Sequence, residues 1–328
     1  YEKFIHPEDR AALEKLKAIP LLDTAVRQYL KYLTEDMLHG INMASKIKLG
    51  TNQLPEIYAI LTDVCAKLEI AVPEFYLEMD PQPNAYTCGD TKPFVVINSG
   101  IVDLLQPDEL RAVVAHECGH ILCHHVLYHM LADVILSTGG GIASIFGAGI
   151  ITEPLKWALT YWVRRSEFSA DRVAAYVTGD ADIVARTMMR LAGGGTKITS
   201  SVNMEEFMRQ AAEYNKFIRD SDKSSFLQNW MIKALDHPYP AIRAAEVVKW
   251  FKSAPSVGFG QKLIDDIEMQ TKRRFFDVFL EMNQTGFETI SRSLKAIRPL
   301  SPHVVNQSRN DGDHCSEQTG DDRAIPGP

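Results

Sequence analysis

A chain of 328 residues with 45% apolar content is long enough to bury the core of one large domain. Its net charge of −7 and pI near 5.8, with both signs mixed along the sequence, exclude the basic face that nucleic-acid binding requires. Five cysteines, at 65, 88, 118, 123 and 315, show no paired spacing, which argues against a disulfide framework and for a reducing, cytoplasmic setting. No signal-peptide pattern opens the chain, and because it starts at Tyr1 rather than Met, an earlier segment stays open.

The first seventy residues read as packing helices. Pro7-Glu8-Asp9 opens one, with proline at the first helical position and acids in the first turn. A second amphipathic stripe runs from about 21 to 38, and Pro55-Glu56 starts a third helix. The period then changes to that of strands, at 75–79, 84–89 and 94–98, joined by proline- and glycine-bearing turns. An exposed strand edge pairs with extended peptides, so Asn84 and Ala85, with Phe94, Val95, Val96, Ile97 and Asn98, are candidate substrate-binding positions. A purely structural sheet accounts for the same residues equally well.

Gln106-Pro107-Asp108-Glu109 opens the helix that carries the chemistry, expected over 107–131 and therefore about 40 Å long. It contains H-E-x-x-H. His116 and His120 are four apart, so both imidazoles leave one helix face and suit two corners of a zinc tetrahedron. Glu117 follows the first histidine by one position, too far round to share those corners but placed to act as general base on a water held there. Short motifs of this kind also arise by chance, but unpaired His and Glu are costly inside so apolar a helix. Cys118 points to the core. His124, on a continuous helix, lies one turn too far along for the same ion, and it joins His125 and His129 as supporting or surface histidines.

Residues 134–152 carry no charge and are just long enough for a short membrane span, although five glycines favour a helix end and a loop. Glu153-Pro154 opens a further helix, 154–178, in which Glu167 and Asp171 share a face. The pair fits a ligand carboxylate with a second carboxylate orienting a ligand histidine; spacing alone fits a solvated acidic face as readily. Gly193-Gly194-Gly195 reads as a hinge, and helices follow within 204–297, with His237-Pro238 in a turn ahead of Arg243. Residues 299–328 are polar and expected to be a disordered tail, leaving 1–298 as one domain.

The combination of Asn84-Ala85-Tyr86 with Gly89, Ser99-Gly100, Asp108-Glu109-Leu110, His116-Glu117-Cys118-Gly119-His120, Arg165-Ser166-Glu167 with Ala170-Asp171, and His237-Pro238 with Arg243 resembles the HtpX and CAAX-prenyl-protease family of zinc metallopeptidases, which includes the mitochondrial Oma-type proteases. The resemblance spans roughly 50–250 and implies an α+β, mostly α, gluzincin-type peptidase with a small sheet ahead of the H-E-x-x-H helix. It implies one zinc per chain, held by His116, His120 and Glu167, with Asp171 behind them and Glu117 as base. It also implies a peptide or protein substrate and makes His237 and Arg243 candidate catalytic residues that stabilise the oxyanion. Long hydrophobic helices like those of the multi-spanning members are missing, so membrane association is not favoured. Two other readings remain open at this stage: a membrane-anchored quality-control protease using 134–152, and a non-catalytic module stapled by zinc.

Overall fold

The computed structural model describes residues 1–18, 22, 27, 35–137, 153–220 and 239–253. Helix α1 (Pro7–Lys17) is capped by His6, whose ring accepts from Glu8 N–H, and α2 (Asp36–Ser45) leads into the two-residue strand β1 (Ile47–Lys48). Helix α3 (Pro55–Leu68) precedes strands β2 (Glu74–Glu78), β3 (Ala85–Cys88) and β4 (Phe94–Asn98), then the short α4 (Ser99–Leu104). Next come α5 (Pro107–Leu122), α6 (Val126–Ser137), α7 (Glu153–Thr178) and α8 (Ala181–Gly193). The single turn α9 (Thr196–Thr199), α10 (Met204–Asp220) and α11 (Pro240–Ser253) complete the described chain. The architecture is the mostly helical α+β arrangement expected.

The sheet runs β1-β2-β4-β3, and β2 and β4 are parallel, while β1 and β3 pair antiparallel to β2 and β4. This corrects one expectation. Phe94, Val95, Val96 and Ile97 are paired on both sides, to β2 and to β3, so this run offers no edge to a peptide. All of β4 is buried, which is why it reads as a continuous apolar run rather than an alternating one. Asn98 ends the strand as a structural tie: its Oδ1 accepts from Asn84 N–H at 2.9 Å and from Ile101 N–H at 3.0 Å, capping α4. Gly100 sits beneath the preceding loop so closely that a Cβ there would lie 2.3 Å from the Pro81 carbonyl oxygen.

Two packed layers meet at α7. One core, with Leu61, Val64, Phe75, Val95, Val114 and Val173, joins the sheet, α3, α5, α7, α8 and α11. The other, with Leu13, Leu16, Tyr128, Leu155, Leu159 and Trp162, holds α1 and α6 on the far end of α7. Of the uncharged 134–152 run, residues 138–152 lie outside the described residues, as do most of 21–34, His237, the helices expected within 261–297 and the tail 299–328. Among the described residues, no helix is long and apolar enough to cross a membrane.

The motif helix is shorter than expected, ending at Leu122 rather than near 131. His124 takes a left-handed backbone (φ 59°), its N–H bonds Ile121 O at 3.1 Å, and His125 N–H bonds His120 O at 2.9 Å. These are the paired bonds of a Schellman C-cap, with histidine where glycine is usual. The break leaves His124 exposed and swings His125 back beside His120. A β-branched residue pays most in the left-handed region. We therefore expect His124→Val to lower stability by about 1–2 kcal/mol and His124→Gly to be tolerated, read from thermal melting.

Candidate metal centre and active site

Helices α5 and α7 cross in contact, and Gly119 permits it: a Cβ there would stand 3.0 Å from Ala170 Cα and 3.1 Å from Val173 Cβ. The glycine between the two histidines thus lets α7 approach closely enough to deliver Glu167. His116 Nε2 lies 3.1 Å from His120 Nε2, and Glu167 carboxylate oxygens lie 3.5 Å and 3.4 Å from them. Donors on a tetrahedral divalent ion with bonds near 2.05 Å stand about 3.3 Å apart, so the three residues fit such an ion as they are placed. The sequence-predicted ligands from two separate helices converge, and all three are buried.

Each of these side chains is held from behind. Asp171 Oδ1 accepts from His116 Nδ1–H at 2.9 Å, which turns Nε2 of the ring towards His120 and Glu167. Arg243 grips Asp171 with Nε at 2.8 Å and Nη2 at 2.7 Å, and its Nη1 reaches Glu167 Oε2 at 2.8 Å. Three of the five N–H donors of Arg243 are engaged by carboxylates, so the guanidinium clamps Asp171 to Glu167. With protons as the only cations, burial opposes a charged His116, but Asp171 and Glu167 outweigh it and push it up to about 10. His120 is lowered, by burial and by its neighbours His116 and His125. Burial also works against the Asp171 carboxylate, yet Arg243 and His116 hold it below the ordinary range.

Glu117 is 2% exposed and is reached from the sheet: Thr87 Oγ1 donates to Glu117 Oε2 at 2.8 Å. Thr87 lies on β3, the strand at the end of the sheet order, so a strand edge runs alongside the candidate base. Sequence reasoning missed Thr87, because nothing in a strand pattern says which hydroxyl will face a helix that begins only after the next strand. Asn84 and Ala85 lie at the start of that same edge. Cys118 points into the core, as expected, with its Sγ 4.0 Å from that of Cys65. His125 and His129 support rather than decorate the surface: His125 bonds His120 and Asp9, and His129 Nε2 donates to Ser166 Oγ at 2.7 Å.

Residues 52–258 match Peptidase family M48. The chloroplastic plastoglobule-localized metallopeptidase 48 of Arabidopsis thaliana is 34% identical over 254 residues, covering 77% of this chain and 73% of its own. A protease HtpX homolog 2 of Methanosarcina acetivorans is 27% identical, over 62% of this chain and 75% of its own. A protease HtpX homolog of Moorella thermoacetica is 23% identical, over 59% and 71% respectively. No solved structure matches.

Proposed function

The chain belongs to peptidase family M48, and we propose that within it the protein is a zinc-dependent endopeptidase, carrying one zinc per chain, that hydrolyses internal bonds of extended polypeptides. The observation that carries this reading is the meeting of His116, His120 and Glu167, with Glu117 on the same turn beside a strand edge. The donor set is three residues of nitrogen and carboxylate type, which suits zinc kept for catalysis; structural zinc normally takes four protein ligands, often cysteines.

Bound zinc supplies Lewis acidity, bringing water towards a pKa of ~7 and polarising a carbonyl. Glu117 takes the proton of the attacking water and returns it to the leaving amine. Thr87 holds Oε2 of that carboxylate, which leaves Oε1 for the proton. Asp171 keeps the proton of His116 on Nδ1, and Arg243 fixes Asp171 and Glu167 together. The substrate backbone pairs with the outer edge of β3, beginning near Asn84 and Ala85; a strand edge accepts a chain without reading its terminus, which favours internal cleavage. His237, three residues ahead of α11, is the candidate donor to the oxyanion. We place the activity in a reducing compartment, where Cys65 and Cys118 stay as thiols.

The test is a digest of a proteome-derived peptide library with and without chelator. Internal cleavages that vanish with chelator and return with zinc are expected. Cleavage untouched by chelator, or none in the zinc-loaded protein, overturns the reading.

A further inference from the structure

The two histidine ligands are supported differently. His116 meets a carboxylate directly, whereas His120 meets another histidine: its Nδ1 lies 3.1 Å from His125 Nδ1, and His125 Nε2 lies 2.9 Å from Asp9 Oδ2. Asp9 belongs to α1, upstream of the matched region 52–258, and is fully buried, as are His125 and Trp162. It is buried with partners on both oxygens. Trp162 Nε1–H donates to Oδ1 at 2.9 Å, and Ser169 Oγ–H donates to Oδ2 at 2.6 Å. The serine in turn accepts from His6 N–H at 2.8 Å, so both α1 and α7 frame the carboxylate.

The donor and acceptor roles follow in sequence. An ionised Asp9 only accepts, so the hydrogen shared with His125 sits on His125 Nε2. In the relay His125 carries a single hydrogen, so its Nδ1 is the acceptor and the hydrogen between the two rings sits on His120 Nδ1. That leaves the lone pair of His120 on Nε2, the atom facing His116 and Glu167. Burial works against the Asp9 charge, but His125, Ser169 and Trp162 more than compensate and lower its pKa, which is consistent with the first step.

We propose that Asp9, acting through His125, is a positioning residue that fixes the tautomer and ring orientation of His120, so that α1, from outside the matched family region, sets the strength of the metal site. The inference rests on His116, His120 and Glu167 being metal ligands. His125 is brought into range only by the histidine C-cap at 124, since a continuous helix would carry it away from His120. His120, His125 and His129 also lie close enough to hold an ion of their own. The relay is favoured because His120 would otherwise have to give up its Nδ1 proton while serving two ions, and because His125 already ends on a carboxylate.

The experiment measures zinc affinity of the full chain by competition with a chromophoric chelator, total bound zinc, and the visible spectrum of the cobalt-loaded protein. Variants are Asp9→Asn, His125→Phe and His125→Asn. Glu8→Ala serves as a control, since it removes a contact of α1 with α7 through Arg165 without touching the relay. Asp9→Asn and His125→Phe are expected to weaken zinc about 10–100-fold and to shift the cobalt bands. His125→Asn, whose side-chain oxygen falls near the place of Nδ1, is expected to recover most of the affinity, and Glu8→Ala to retain it. Should Asp9→Asn not fold, the contrast between His125→Phe and His125→Asn decides the matter. Unchanged affinity in His125→Phe overturns the relay and leaves the ligand assignment standing. Two zinc ions per wild-type chain, one of them lost in His125→Phe, overturn it in favour of a second ion. A wild-type chain that binds no zinc overturns the ligand assignment itself, and the relay with it.

Discussion

Glu117→Gln is expected to keep bound metal at the wild-type level while lowering peptide hydrolysis by about 10²–10⁴-fold, the range that a positioned acid–base group contributes. The substitution is nearly isosteric, and that matters at a residue only 2% exposed. Thr87 Oγ1 can donate to the amide oxygen as it does to Glu117 Oε2, so the side chain keeps its place against β3. His116, His120 and Glu167 keep their donors, because none of them depends on the Glu117 charge for its own hydrogen-bonded partner. The amide cannot take up a proton, and the acid–base step is lost while the ligand cage stays intact. Metal content and turnover on one peptide substrate, measured on the same preparation, separate the two effects. A variant with full metal and undiminished turnover removes Glu117 from the mechanism. One that loses metal shows instead that Glu117 belongs to the ligand cage.

The parts of this site that a reader of the sequence finds are those within one turn of helix. His116, Glu117 and His120 have fixed relative positions as soon as the segment is helical, and the proline and acids at 107–109 announce the helix. Glu167 and Asp171 are legible only through the wider resemblance, because E-x-x-x-D on a helix says nothing about which helix it faces. The close approach that selects α5 as the partner rests on Gly119, whose role appears only once Ala170 is seen against it. The end of the motif helix was hidden because the left-handed cap position is filled by His124, not glycine, and without that break His125 cannot be placed beside His120. The sheet was misjudged for a related reason. Strand runs in chain order do not show which of them is central, and here β2 pairs with β4 in parallel, which puts β4 inside the sheet and β3 at an edge. Asp9 had no local signature beyond an acid in a first turn, a place where acids occur for the helix dipole alone.

Arg243→Ala carries the largest expected effect on stability, about 3–5 kcal/mol, because it strips a bidentate cation from two carboxylates that are each 1% exposed. Arg243 meets Asp171 through two parallel bonds and Glu167 through a third, and it comes from a helix 72 residues along from Asp171, so His116 is the cation left beside both carboxylates when it is removed. At ~2–4 °C per kcal/mol for a domain of this size, the melting temperature should fall by roughly 6–20 °C. The fall should be larger with chelator than with zinc, since an ion held by Glu167 and His116 restores positive charge to the same cluster. Arg243→Lys returns the charge without the planar fork and should recover only part of the loss. The double variant Arg243→Ala with Asp171→Asn should also recover part, by removing one of the stranded charges. Thermal melting of the four proteins, each with zinc and with chelator, tests all of this. If Arg243→Ala melts like the wild type in chelator, the guanidinium is not what holds the carboxylates in the core. A loss of the same size with and without zinc would mean that the two cations do not share a cluster.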